Sequence, residues 1–443
     1  MNPQAVFVQL GGSLKAEGFG DGQYHEVQAK TLLPGLGQCV IIAAMKIATK
    51  ATLIAIVLVA VCVIIALMTA RPGESDNTQM VPDPCGPKAK VWEGGDWPMF
   101  HGGRGLLGRA AGTLSDSLEL LWKFKTADQI KSSPVIVEDV VYVGSSDANM
   151  YAIDFETGNH MWKYQTPDVI EATPCVIEGS VYVGCSDGFL YALDAKTGSF
   201  KWKYETDGEI LGAANWMRSP DGQDLWILVG SYDNMLHCVD SASGKAVWTY
   251  ETDNYINGSP AVADQKTVFG GCDAIIHVVS LTDGTKVAGI DGGSYIAGSA
   301  AFLEGQIYVG NYDNVFVRAD IATERIVWEY AESDSPFFSS PAIGEDVVIF
   351  GGRDKQVHCI GRDDGKVVWT FQTLGEVDSS AAICADKVVI GSEDGRLYVL
   401  KLSDGTKIWS YETGQPITSS PAVVAGKIVV GCDDGYVYAF GAK

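Results

Sequence analysis

The sequence predicts an all-β fold: one eight-bladed β-propeller of four-stranded antiparallel blades, closed by an N-terminal strand and preceded by one transmembrane helix. Three observations predict the propeller. First, Trp recurs at Trp122, Trp162, Trp202, Trp248, Trp328, Trp369 and Trp409, with Ala288 in the slot that lacks it, at intervals of 40, 40, 46, 40, 40, 41 and 40 residues. Second, every unit has an Asp (Asp147, Asp187, Asp233, Asp273, Asp313, Asp354, Asp394, Asp434) and a Gly three residues before it, from Gly144 to Gly431. Copies at this period mark a repeat architecture, and short strands between turn residues mark a propeller. Third, the two ends complement each other. The last unit, SSPAVVAGKIVVGCDDGYVYAF, supplies three strands, and the missing Trp-bearing strand stands at 118–126 as LELLWKFKT. Pairing them closes the ring and removes an open sheet edge.

Each element of the unit has a physical reason. The stretch SVYVGCSDGFLYALDAKTGSFKWKYET reads as three strands and two tight turns. Thr157-Gly158, Thr197-Gly198 and Asp404-Gly405 are hairpin pairs in which Gly supplies positive φ. The repeat Asp can accept backbone N–H bonds across its own turn. Each Trp lies flat between neighbouring blades, so truncating one is expected to cost about 3–5 kcal/mol. A Trp at Ala288 is expected to be tolerated or stabilising. Ile130, Ile170, Ile210, Ile256, Ile296, Phe337, Val377 and Ile417 precede the first strand of each blade and should pack as a ring.

The bounds exclude several functions. The chain has 443 residues and a net charge of −23, from 55 acidic against 32 basic side chains. Such a surface repels nucleic acid, and no basic patch interrupts it. The ten cysteines show no C-x-x-C and no adjacent pair. They read as small buried side chains, with one or two disulfides as the alternative in an oxidising compartment. His237, His277 and His358 each lie four residues after a repeat Asp, where other units have Tyr151, Tyr191, Tyr398 and Tyr438. Equivalent positions in separate blades stay apart, so these histidines read as structural and no metal site is expected.

Residues 51–70, ATLIAIVLVAVCVIIALMTA, carry no charge and are long enough to cross a bilayer as a helix. Lys46 and Lys50 precede the run, and Arg71, Glu74 and Asp76 follow it. The positive-inside rule then places the propeller on the extracytoplasmic side, with 45–70 as a signal-anchor; a cleaved signal peptide is the alternative. Residues 1–44 are either a cytoplasmic tail or upstream translation before a start at Met45. Residues 71–95 read as a flexible linker, and 96–443 as the propeller.

The stretch Ala192-Leu193-Asp194-Ala195-Lys196-Thr197-Gly198, followed by Trp202, resembles the tryptophan-docking motif of the quinoprotein, or PQQ-like, eight-bladed propellers. Ala152, Asp154, Thr157, Gly158 and Trp162 repeat it, and DWPMFHGG at 96–103 is similar to the opening segment of many such proteins. The motif Ala is replaced by Cys238, Val278, Arg318, Cys359 and Val399, which puts docking in doubt around blade 4. The resemblance implies one of two functions. One is oxidation of an alcohol or sugar by the quinone PQQ with Ca²⁺; the other is protein–protein scaffolding, as in the BamB-type propellers of outer-membrane-protein assembly. The enzymes build their site from long loops and commonly carry a vicinal disulfide, some also a C-x-x-C-H haem site. This chain has neither, and its one sizeable insertion is NWMRSPDGQDLW at 215–226. The expectation is therefore a non-catalytic, monomeric scaffold without cofactor. A ligand-sensing propeller is a third reading.

Residues with a particular role should break the repeat. Directly after the apolar ring stand Lys131, Glu171, Leu211, Asn257, Ala297, Phe338, Asp378 and Thr418. By strand alternation these should face the funnel mouth, and they form the candidate partner-binding surface. Trp216, Trp226, Phe337 and Phe338 are candidate aromatic anchors. Arg318 and Arg353 also break the pattern and read as solvated charges.

Overall fold

The computed structural model describes residues 95–442, together with five short strands between Phe7 and Ala43. Those five strands make two small antiparallel sheets, Phe7–Leu10 with Ser13–Ala16 and His25–Glu26, and Ala29–Thr31 with Ile41–Ala43. The expected span 51–70 and nearly all of the expected linker lie outside the described residues. Among the described residues no helix is long and apolar enough to cross a membrane.

From residue 95 onward the chain is a propeller of eight antiparallel blades. Blade 1 shows the pattern: Val135–Val137, Val140–Ser145, Asn149–Asp154 and His160–Gln165, paired in that order. The first strands of neighbouring blades touch one another, so they line the central channel. In blade 8, Ala422–Val424, Lys427–Gly431 and Tyr436–Gly441 are completed by Glu119–Lys125, which pairs antiparallel with Tyr436–Gly441. The closure expected from the two chain ends is present.

Three ring systems hold blade to blade. In the first, the apolar residue before each blade is fully buried against the repeat Gly of the blade before it. A Cβ on Gly144 would stand 2.3 Å from Ile170, and one on Gly431 would stand 2.5 Å from Ile130, so the set closes on itself. No side chain fits at these positions because a neighbour's side chain already occupies the space. In the second system, each Trp donates its indole N–H to a carbonyl in the next blade, for example Trp122 to Phe155 and Trp162 to Ala195, both at 2.9 Å. Trp409 closes that set onto Leu118 at 2.9 Å. The ring plane lies on the turn Gly of the next blade. A Cβ at Gly198 would meet the Trp162 ring at 2.6 Å, and Gly198 has φ of +70°.

The third ring is made of hydroxyls. Ser420 N–H donates to Ser133 Oγ, Ser133 N–H to Thr173 Oγ1, Ser259 N–H to Ser299 Oγ, and Ser299 N–H to Ser340 Oγ. Ser340 and Ser380 continue it to Ser380 and Ser420. Ala213 donates to Ser259 but has no hydroxyl to receive the N–H of Thr173, so the ring is broken there.

Residues 97–112 form an inner belt that the repeat pattern did not reveal. Trp97 exchanges backbone bonds with Ile136 of blade 1, and Pro98 O accepts from Val176 of blade 2. Arg104 O accepts from Asn215 Nδ2 of blade 3 and from Val262 of blade 4. Gly105, Leu107 and Gly108 then accept from Phe302, Ile343 and Ile383 of blades 5, 6 and 7. Arg109–Ala110 finally runs parallel to Ala382–Cys384. The innermost strand of a blade has no neighbour on its channel side, and a buried unpaired N–H is costly. The belt supplies the missing acceptors. It lies at the ends of the first strands where they turn into the second: Asp96 accepts from Glu138 N–H, and Arg109 donates to Ile343 and Gly344 carbonyls. His101 sits inside the belt, buried, stacked on Phe100 at 4.4 Å, with burial lowering its pKa to about 4.

Blade 4 shows how Trp and Gly depend on each other. Ala288 takes the Trp place, and the turn residue it faces in blade 5 is Glu324, at φ of +53°, where the other turns have Gly. The expectation that a Trp would be tolerated at 288 needs a correction, because the Glu324 Cβ stands where an indole plane must lie. Ala288→Trp alone should destabilise by about 1–3 kcal/mol through overpacking. Ala288→Trp with Glu324→Gly should recover most or all of that loss in a urea titration. Separately, Ser299→Ala should lower stability by about 1 kcal/mol, since it leaves the buried Ser259 N–H without its acceptor. Ala213→Ser should raise stability in the same assay by offering the Thr173 N–H an acceptor.

Candidate partner-binding mouth

At the end of the channel opposite the belt, each blade presents the segment before its first strand and the turn carrying the repeat Asp. The Asp residues are scaffold. Asp187 accepts from Phe189 N–H and from the Tyr191 hydroxyl at 2.5 Å, and Asp434 likewise from Tyr436 N–H and Tyr438. Burial, reinforced by the Asp, pushes these tyrosine hydroxyls well above their usual range. Where Tyr is replaced by His, the residue bridges two groups. His237 Nε2 meets Asp233 at 2.9 Å, while its Nδ1 meets the Tyr204 hydroxyl of the preceding blade at 3.0 Å. His277 with Asp273 and Tyr250, and His358 with Asp354 and Tyr330, repeat the arrangement. These Tyr–His–Asp chains resemble acid–base relays in outline. Each is buried within the blade wall, with both ring nitrogens committed, so each works as an interblade clamp. In blade 5, where Val317 replaces the Tyr or His, Asn311 Oδ1 takes over the turn by accepting from Asp313 and Val315 N–H.

The ring residues are completely buried, and the residues after them reach solvent. The alternation expected from the sequence therefore holds. Lys131 pairs with Glu171 at 2.7 Å. Asn257 accepts from the Tyr232 hydroxyl and donates to the Ala297 carbonyl. Thr418 donates to Asp433. Phe338 lies 4.5 Å from Tyr312 and beneath the guanidinium of Arg353 at 3.8 Å. Arg353 forks both oxygens of Asp378, at 3.0 and 2.6 Å, and reaches Glu376 at 3.3 Å. It is thus held in place rather than freely solvated. Leu211 is half-buried and makes no polar side-chain contact.

The other aromatic candidates need correction. Phe337 is a ring member with no exposure, and Trp216 is 8% exposed beneath Arg104 at 4.8 Å. Trp226 is partly buried against the core that blades 3 and 4 share. The insertion they flank joins the first and second strands, so it lies at the belt end. Arg318, also read as solvated, spans to the next blade by donating to the Arg362 carbonyl.

Two further residues per blade share the mouth and were missed. One precedes the repeat Asp, and its N–H donates to the carbonyl of the other, which precedes the ring residue of the same blade. Tyr232 with Glu209, Cys272 with Tyr255, Tyr312 with Tyr295, Arg353 with Pro336, Glu393 with Glu376 and Asp433 with Pro416 are bonded in this way. Both rows vary from blade to blade, and that variation inside a strict repeat was the available signal. The three rows divide the mouth. Blades 3 to 5 contribute an aromatic arc, with Tyr232 stacked on Tyr255 at 4.9 Å and Tyr295 against Tyr312 at 6.2 Å. Blades 7 and 8 contribute carboxylates. Oxygens of Glu376, Asp378 and Glu393 lie within 4.8 Å of one another, and Asp433 is close enough to feel Lys131 and Glu171. Burial first, and then the charges of Asp378 and Glu376, raise the pKa of Glu393.

A carboxyl whose pKa rises on folding binds its proton more tightly in the folded state. The associated stability is complete below the ordinary value of 4.5 and is lost as pH rises through the folded value. Glu393→Gln keeps the neutral form at every pH. It should unfold at a higher temperature than the parent near about pH 7, with the gap closing towards about pH 4.

The family model for outer membrane protein assembly factor BamB matches residues 90–218, 205–294 and 272–443. No curated protein matches the chain. Among solved structures, BamB from Moraxella catarrhalis is 20% identical with a TM-score of 0.61, over 74% of this chain and 100% of that one. Quinohemoprotein alcohol dehydrogenase from Comamonas testosteroni is 15% identical with a TM-score of 0.67, over 80% and 81%. The computationally designed protein Ika8 is 17% identical with a TM-score of 0.65, over 74% and 100%. These structural likenesses establish the fold. The match of the family model along the whole propeller establishes more, and the chain belongs to the outer membrane protein assembly factor BamB family.

Proposed function

We propose that this protein is a non-catalytic, membrane-tethered scaffold that holds a protein partner in the cell envelope. One observation carries the reading: three positions per blade, all at one mouth, range over apolar, aromatic, polar and charged side chains, on a ring whose other positions stay nearly constant. A rigid circular frame that keeps its walls constant and varies one rim is suited to presenting a bespoke surface. The family's own description, an assembly factor, supports the same reading. Residues 51–70 would anchor the chain, with Lys46 and Lys50 on the cytoplasmic side and the propeller on the extracytoplasmic, periplasmic side.

The quinoprotein neighbours keep an enzymatic reading in view. A quinone with Ca²⁺ requires polar groups converging on one pocket. The carboxylates that come nearest to this fit it poorly, because both oxygens of Asp378 are already taken by Arg353.

Photo-crosslinking from position 338 in intact cells should trap a protein partner, and crosslinking from position 366 on the opposite face should not. Lys131→Glu should reduce that capture while changing stability by less than about 1 kcal/mol, the usual worth of an exposed ion pair. Stoichiometric quinone binding with Ca²⁺ and dye-linked alcohol or sugar oxidation would overturn the scaffold reading. Protease added to spheroplasts should digest the propeller; protection until lysis would reverse the orientation.

A further inference from the structure

We infer that the partner segment seated in the mouth is basic, carrying Arg or Lys beside aromatic or aliphatic residues. This rests on the scaffold reading and adds the chemistry of what is held. The mouth contains its own example of the interaction. Arg353 lies flat over Phe338, 3.8 Å from the ring centroid, while its edge is clasped by Asp378 and Glu376. A guanidinium stacked on an aromatic face and forked by carboxylate is a strong geometry for that group.

One guanidinium does not balance the charge around it. In the three rows Glu171, Glu209, Glu376, Asp378, Glu393 and Asp433 are six carboxylates, against Lys131 and Arg353 as two cations. The excess is felt at Glu393, which holds its proton more tightly than usual, through burial and then the charges of Asp378 and Glu376. A further cation entering here would relieve that repulsion.

The aromatic arc supplies the apolar half of the site. Tyr255, Tyr295 and Tyr312 are 48%, 54% and 44% exposed, an unusual amount of ring surface left open beside buried neighbours. The arc meets the carboxylates at Tyr312 and Phe338, so one short segment can lay apolar side chains along blades 3 to 5 and a cation over blades 6 and 7. Aromatic rings at a rim, with a charged clasp at one end, are the usual composition of an interface anchor. A second basic feature on the same chain is not needed, because the complementarity is with the sign of the mouth itself.

The net charge of −23 will attract any polycation weakly, so the test separates the mouth from the general field. The probe is a fluorescein-labelled nonapeptide alternating Arg and Phe, titrated against the full chain and read by anisotropy. Matched peptides alternating Glu and Phe, and Arg and Gly, serve as comparators. The Arg–Phe probe should bind at least about tenfold tighter than either comparator. Glu376→Gln with Glu393→Gln should weaken it about tenfold, as should Tyr295→Ala with Tyr312→Ala, with melting temperatures checked for each variant. Glu156→Gln with Glu178→Gln, on the belt-end face, should leave it unchanged. Equal binding of the Glu–Phe peptide, or equal losses from the belt-end and mouth variants, would overturn the inference. If crosslinking from position 338 traps a partner but none of these peptides discriminates, the scaffold reading stands and this inference falls. If crosslinking traps nothing there, the scaffold reading itself falls.

Discussion

The contact between one blade's glycine and the next blade's apolar ring residue is the constraint on which the rest of the molecule depends. Ile, Val or Phe fills the space a Cβ would need at each repeat Gly, from Gly144 against Ile170 round to Gly431 against Ile130. This contact sets the spacing between blades at the channel, where they are closest. With that spacing fixed, the hydroxyl of Ser133 falls within reach of Ser420 N–H, and each Trp reaches a carbonyl across the gap further out. Polar links of this kind are worth about 1 kcal/mol apiece and need good geometry; the packed apolar ring provides it.

Substitutions in the frame occur in matched sets. Ala288 without its Trp faces Glu324 without its Gly. Val317, which cannot bond the turn Asp, lies near Asn311, which bonds the turn instead. His237, His277 and His358 each come with a tyrosine hydroxyl from the preceding blade. In each case the steric or hydrogen-bonding requirement is met by a pair of residues in place of one, so the local chemistry changes while the blade spacing does not.

The parts of the molecule that were legible in the sequence are those that recur with the period. The Trp, Asp, Gly and apolar sets each announce a role because a position filled alike in every blade must meet like surroundings. The Ser ring was equally periodic, in KSSPV, FSSPA and TSSPA, and its function is clear once the N–H donors are located. The belt could not be read this way: residues 97–112 touch seven blades in seven different ways and have no period at all. Candidate anchors failed for a related reason. Phe337 and Phe338 are adjacent and chemically alike, yet one is sealed in the ring and the other opens to the mouth. Identity of side chain carries no information about that; position in the repeat does. The residue after the ring was found from its position, while the rows at Tyr312 and Tyr295 needed the turn and the entering segment to be seen side by side.

The belt and the closing strand also govern how this chain can fold. Thr126 bonds Gly435 across 309 positions, and the belt's carbonyls find their donors on strands that follow one after another along most of the chain. Contacts of such long range are slow to form, because much of the loop-closure entropy is lost before they contribute. On a ribosome the belt emerges before any strand that can receive it, and blade 8 stays one strand short until Tyr436–Gly441 appears. Individual hairpins can form early, but an incomplete ring leaves its channel edges bare and prone to pairing with other chains. Closure of the ring is therefore a late event for this chain, since it waits for Tyr436–Gly441 to pair with Glu119–Lys125.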